Sequence, residues 1–250
     1  MVAILRSLLL RHLPVGLDHP MTLVEHLEDL RRRIIFAALG LASTTVIGIW
    51  QYDRLLALLM RPAGLSHLTA LTVLEPLLVR FKLAFVFGLV AAFPWLLLQA
   101  LLFVAPALSP HEGQYVIPLT VLSLILSVVG VLFGYFFILP VSTQWLIAQA
   151  STVISLQITA LSYVSYAVWF LAAIAIAFQT PMVVLSLIGM GILSSARLRR
   201  EWRAVYAVIT VLAAVITPDW SPVTMLLVGG AMAGLYELSL LLARVLLPGR

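Results

Sequence analysis

Between Phe103 and Glu112 the chain reads F-V-A-P-A-L-S-P-H-E, which sets one carboxylate behind two prolines in otherwise apolar surroundings. From residue 113 to 196 there is no Asp, Glu, Lys or Arg at all. Apart from His111, no basic residue lies near Glu112 in sequence. A carboxylate fixed in that way is poised to accept a guanidinium, whose fork of donors matches both carboxylate oxygens. A second acidic cluster lies in E-H-L-E-D-L-R-R-R, residues 25–33, where Glu28 and Asp29 are adjacent. Arg33 follows Asp29 by one helical turn and is placed to neutralise it. Elsewhere, strongly polar groups at apolar depth are few: Lys82, Gln99, Gln179 and Glu237. Such groups are functional candidates by default, because hydrocarbon does not solvate them. Gln179 precedes Thr180-Pro181, and two readings stay open for it. Its amide bonds a carbonyl freed by Pro181, or it lines a water-filled groove. Glu237 lies two turns before Arg244 on the same face, which favours an ion pair between them.

Catalytic constellations are missing. There is no cysteine, which removes disulfides, thiolate metal sites and cysteine nucleophiles. No G-x-S-x-G elbow is present, and His111-Glu112 is followed by Gly-Gln-Tyr, so a second zinc histidine is absent. No nucleotide-binding loop is evident. The chain is not expected to be an enzyme or to carry a cofactor or metal.

The elements that must position these residues follow from composition. Of 250 residues, 63% are hydrophobic and 10% charged, against about 25% charged in soluble domains. Too few polar groups exist to cover a surface in water, so the solvent is lipid and the class is an all-α, polytopic membrane protein. The net charge of +5 sits in loops, where it reports topology rather than a nucleic-acid partner.

Residues 1–21 read as a loose extension, with Met21 a second natural start. Thr22 and Glu25 form a capping box, and the helix they open runs through three arginines into a first span at 34–50. Leu23, Leu27 and Leu30 line one face of its amphipathic start. Residues 51–75 form an outer loop with a short interfacial helix near Leu55–Met60. Further spans are expected at about 77–104, kinked at Pro94, at 115–139, ending at Pro140, and at 161–193, kinked at Pro181. Arg80 and Lys82 are expected to snorkel outward. A polar, charge-free outer loop is expected after Pro140.

The last two spans, 204–218 and 223–243, are short and flank a tight outer turn, T-P-D-W-S-P, that carries Asp219. Fifteen residues of helix reach about 22 Å against a hydrocarbon core of about 30 Å. That hairpin should thin the bilayer or sink its turn. Of the 15 Lys and Arg, all but Arg54, Arg61, Arg80 and Lys82 fall on the side assigned as cytoplasmic. The bias puts both termini inside, in agreement with six spans. A small-solute channel or secondary transporter is the rival reading. It needs polar lines on several spans, and only Gln99, Gln179 and Glu237 are available; the unequal spans also argue against an inverted repeat.

Taken in order, several motifs resemble the TatC family of the twin-arginine protein translocase. They are Glu25–Arg33, F-K-L-A-F (81–85), Pro94–Glu112, G-V-L-F-G-Y-F-F-I-L-P (130–140), F-Q-T-P (178–181), R-R-E-W-R (199–203), I-T-P-D (216–219) and Y-E-L (236–238). Together they cover about Leu23 to Leu246. The resemblance implies a receptor for twin-arginine signal peptides of folded cargo in a prokaryotic inner membrane. It also implies TatA- and TatB-type single-span partners, self-association, and transport driven by the proton-motive force. The family's signal-binding carboxylates fall on Asp29 and Glu112, with Arg31 and Phe103 close by. Its entry motif usually carries glutamate where Asp29 stands, so Glu28 is an alternative contact. Its polar residue in span four falls on Gln179, often glutamate in the family, beside Pro181. The partner helix is expected at the short spans five and six, the sixth of which carries Glu237.

Overall fold

The computed structural model describes residues 23–104, 116–150, 157–189 and 191–246. Residues 1–21, Thr22 and Glu112 lie outside them. The fold is all-α, as the periodicity predicts, and one isolated bridge, Thr69 to Thr159, is the sole extended pairing among the described residues. In chain order the helices are α1 (Leu23–Trp50), α2 (Tyr52–Met60) with a 3₁₀ turn at Arg61–Ala63, α3 (Glu75–Val104), α4 (Val116–Phe133), α5 (Leu139–Ala148), α6 (Ala160–Ala177), α7 (Thr180–Gly189), α8 (Ser195–Arg200), α9 (Trp202–Ile216) and α10 (Pro222–Leu246). Five stretches are long and apolar enough to cross a membrane: α1, α3, α4 with α5, α6 with α7, and α10. At 15 residues, α9 is short as the sequence anticipates; α10, expected to be short as well, is instead 25 residues and long enough to cross, because the helix runs past 243 to Leu246.

The bundle is built around α6. Its Tyr163, Val164, Ala167, Phe170 and Ile174 are buried against Val79, Leu83 and Val86 of α3, Ile138 and Leu139, Ile209 and Ala213 of α9, and Val228, Met232 and Tyr236 of α10. The first helix is peripheral and leans on α3. A Cβ at Gly88 would collide with the side chain and backbone of Thr45, so glycine permits that close approach. Thr44 Oγ1 donates to the Gly88 carbonyl at 2.9 Å and Trp95 Nε1 to the Phe36 carbonyl at 2.9 Å. These two bonds fix the register of α1 on α3.

Two expectations are corrected. The third span does not end at Pro140. A π-turn at Gly134–Ile138 widens the helix just before the proline, and the helix resumes as α5 to Ala148 with Pro140 in its first turn. In that first turn a missing N–H is tolerated. Ser142 and Thr143 are therefore buried on a helix rather than displayed in a loop. Lys82 does not snorkel outward; its Nζ donates to Ser165 Oγ of α6 at 2.7 Å. Arg80 does lie outward, its guanidinium 5.0 Å from the centroid of the Tyr52 ring. Burial, and then Asp53, push the Tyr52 phenol up while Arg80 opposes them.

The fourth span breaks where Pro181 predicts. Phe178 and Gln179 form a turn between α6 and α7. Pro181 cannot donate to the Ala177 carbonyl, and Thr180 Oγ1 does so instead at 2.6 Å.

Candidate functional site

At one end of the bundle, the start of α1 meets the end of α3. His26 and Phe103 stack with ring centroids 4.4 Å apart and planes 18° from parallel. His26 and Asp29 are three residues apart and share a helical face, so the end of α3 docks on the acidic face of α1. Asp29 accepts from Arg33 Nε at 3.2 and 3.3 Å, the pairing that the i,i+4 spacing predicts. Glu28 and Arg31 are exposed beside it. Arg32 covers the Phe36 ring at 5.6 Å. The site residues Glu28, Asp29, Arg31 and Phe103 thus gather at one end. Residue 112 follows Phe103 by nine positions, outside the described residues. His26 escaped the sequence reading, since nothing local distinguishes it as a stacking partner.

A second polar centre lies at mid-depth. Gln179 is 3% exposed. Its Oε1 accepts from Ser123 Oγ at 2.8 Å, and its Nε2 donates to Ser127 Oγ at 3.0 Å and to the Ala175 carbonyl at 3.3 Å. The Gln179 N–H bonds Ile176 O rather than Ala175 O, so the turn frees the Ala175 carbonyl and the side chain recovers it. The carbonyl that Pro181 frees is therefore not the one Gln179 takes: Thr180 bonds Ala177, whereas Gln179 bonds Ala175 and bridges α6 to α4. Gln99 is also buried, and its Oε1 has no hydrogen-bond partner.

Glu237 is not paired with Arg244. Its Oε1 accepts from Tyr206 of α9 at 3.1 Å, and the Tyr206 ring meets Trp202 and Tyr236 edge-on. A hydroxyl on the neighbouring helix thus takes the place of the local ion-pair candidate. In the α9–α10 turn, Trp220 takes φ 51°, turning itself out to 84% exposure while Asp219 is 2% exposed. Asp219 Oδ2 accepts from Thr224 Oγ1 at 2.8 Å, and Oδ1 is buried with no hydrogen-bond partner. Glu75 is a functional-looking carboxylate that the sequence reading left in a loop. It stands at the start of α3, buried, and accepts from the backbone N–H groups of Leu71 at 2.7 Å and Leu161 at 2.8 Å. The signal for it was a Glu-Pro pair opening a helix. Among the described residues no cluster of His, Asp and Glu could hold a metal ion.

The family model described as Sec-independent protein translocase protein (TatC) matches residues 25–230. The chain belongs to the TatC family. Among curated relatives, TatC of Deinococcus radiodurans is 36% identical over 232 residues, covering 89% of this chain and 86% of that protein. TatC of Carboxydothermus hydrogenoformans is 32% identical over 233 residues, covering 92% and 96%. A crystal structure of a twin arginine translocase receptor, TatC, in DDM superposes with a TM-score of 0.74 at 28% identity, covering 87% of this chain and 98% of that one. This TatC-family chain is a multi-pass membrane protein and a component of the Sec-independent protein translocase. Membership implies work in a complex with other Tat subunits, as a transport protein rather than a catalyst.

Proposed function

We propose that the chain is the signal-peptide receptor and core of the translocase in a prokaryotic inner membrane. In this reading it has six spans with both termini cytoplasmic. It binds twin-arginine signals, recruits TatA- and TatB-type single-span proteins, self-associates, and exports folded cargo at the expense of the proton-motive force. One observation carries the reading: the His26–Phe103 stack, which brings the end of α3 onto the acidic face of α1. Two arginines on a peptide ask for carboxylates held in fixed, partly desolvated positions. Asp29 is the first and Glu112 the second, with Glu28 as the alternative to Asp29. Arg31 and Phe103 border the site, Phe103 offering a ring to stack on a guanidinium. Because Arg33 already occupies Asp29, an incoming arginine must share that carboxylate or displace Arg33. Gln179 and Pro181 hold the span-four break in shape, Asp219 holds the outer turn, and Glu237 marks the partner face of α9 and α10.

The test is photo-crosslinking of a twin-arginine signal peptide to probes at residues 29, 103 and 112. Crosslinks are expected with an Arg-Arg signal, and they should be lost with a Lys-Lys signal and with Glu112→Ala. Crosslinks that persist in both controls would mean the signal is read elsewhere. No crosslink in functional protein would mean that this chain serves the translocase without receiving the signal itself.

A further inference from the structure

On the side of the bundle opposite the His26–Phe103 stack, α2 roofs an apolar cavity of about 380 Å³ between α3, α4 and α6. Leu83, Val86 and Val168 form its buried floor, and Leu59 is the buried residue of the roof. Leu58, Leu132 and Phe136, at 45%, 48% and 63% exposure, stand at a mouth that faces the hydrocarbon. The lining contributes one polar side chain, Tyr135, and its hydroxyl donates to the Leu58 carbonyl at 2.8 Å, pinning the roof. A smaller cavity of about 240 Å³ shares Phe87, Val90, Val131 and Leu132 and continues toward Pro94.

The roof helix carries charge in register with that mouth. Arg54, Leu58 and Arg61 are spaced four and three residues apart, so they form one stripe of α2 and its first continuing residue. Both arginines are exposed. Arg54 Nη1 donates to Gln51 Oε1 at 3.2 Å, and among the described residues its other guanidinium N–H groups, four of five, have no hydrogen-bond acceptor. Asp53 is rotated about 100° round the helix from Arg54. The two arginines therefore stand one turn to either side of Leu58 at the entrance, their backbone positions about 10 Å apart along the helix, above an apolar chamber.

We propose that this cavity is a binding site for an anionic phospholipid of the leaflet that meets α2. One acyl chain enters past Leu58, Leu132 and Phe136, and the phosphate lies between Arg54 and Arg61. The occupant must be apolar along its length and anionic at one end: the lining is apolar but for Tyr135, while two exposed arginines stand at the rim. An apolar chamber of this kind also stays free of water, and a hydrocarbon chain fills it without leaving polar groups unpaired. Arginine binds phosphate through paired N–H donors, which explains why two cations sit at this rim although most cations of the chain lie at the other side. The site is separate from the proposed signal-peptide contacts and does not depend on them.

Native mass spectrometry of the full chain in detergent tests the proposal, with phosphatidylglycerol or phosphatidylcholine of matched acyl chains added. Phosphatidylglycerol is expected to be retained about tenfold more than phosphatidylcholine. Arg54→Gln/Arg61→Gln should remove that preference. Leu132→Trp, which fills the mouth from an exposed position, should reduce retention of both lipids. Melting temperatures of the same samples separate lost binding from lost fold. Millimolar inorganic phosphate should leave the bound lipid in place, because the acyl chain contributes to binding. Equal retention of the two lipids, a preference that survives the double substitution in folded protein, or displacement by phosphate alone would each overturn it. Displacement of lipid by a twin-arginine signal peptide, with crosslinking at residue 58, would assign the cavity to the peptide instead.

Discussion

At the proposed signal-peptide site, Asp29 is held by a local partner that a ligand would have to share or displace. Arg33 holds it across one turn, and the side chains are 16% and 23% exposed. Such i,i+4 pairs contribute only about 0.3–0.5 kcal/mol, so a bidentate guest guanidinium outcompetes Arg33 with little loss. Arg33→Gln is therefore expected to tighten binding of a twin-arginine peptide about twofold, whereas Asp29→Asn should weaken it by about tenfold or more. Fluorescence anisotropy with a labelled signal peptide reads both; unchanged affinity in Asp29→Asn would move the contact to Glu28. Gln179 raises a different question at the same scale. Leucine there would leave Ser123, Ser127 and the Ala175 carbonyl without their partner, a loss of about 1–3 kcal/mol. Gln179→Leu should lower the melting temperature, and an unchanged value would mean the bridge contributes nothing. The pairing of Asp29 was legible because it is local. The true partner of Glu237 was not, because Tyr206 lies 31 residues away and a closer arginine in sequence pointed elsewhere.

At the scale of elements, the sequence reading of the helices succeeded where periodicity and charge agree and failed where one residue type carries two meanings. Pro181 does break its span, with Thr180 and Gln179 recovering the freed carbonyls. Pro140 looks the same in sequence, yet the π-turn before it absorbs the irregularity and the helix continues. Nothing in the types of Gly134–Ile138 announces a π-turn. Glu75 belongs here as well. Its two backbone bonds tie the residue 71 loop and the start of α6 to the head of α3, and acceptors of that kind near helix starts are stabilising. Glu75→Ala would leave both N–H groups unpaired, a cost of about 2–4 kcal/mol. Hydrogen exchange at Leu71 and Leu161 should then rise together. Exchange that rises at one alone would show that the carboxylate does not couple the two segments. Gly88→Val tests the α1–α3 contact in the same way. The extra methyls would meet Thr45, and overpacking of about 1–3 kcal/mol should release α1, the most peripheral helix, before the rest of the bundle unfolds.

For the whole molecule, the parity of spans decides on which side of the membrane α10 ends. Five stretches are long enough to cross and α9 is shorter. The first four put residues 197–203 on the same side as the α1 arginines whichever way α9 runs, but an odd total would put Arg244 on the opposite side from them, which the positive-inside bias disfavours. If α9 crosses, its 15 residues span about 22 Å of a hydrocarbon core of about 30 Å, and the turn carrying Trp220 must sit below the surface or draw the surface down to it. The absence of cysteine makes this directly measurable. Single cysteines at Ser66, Ala196 and Trp220, all exposed positions, would be probed in intact cells with a membrane-impermeant maleimide. Ser66→Cys should label rapidly, Ala196→Cys only after permeabilisation, and Trp220→Cys from the same side as residue 66 but about tenfold more slowly, because a thiol held at the lipid boundary ionises and meets reagent less often. Labelling of residue 220 only after permeabilisation would mean α9 returns to the side it left and five spans are correct. Labelling as fast as residue 66 would mean the bilayer thins fully to meet the turn. That last outcome would make the short hairpin a local membrane-thinning device, placed beside the face of α9 and α10 proposed to receive the single-span partners.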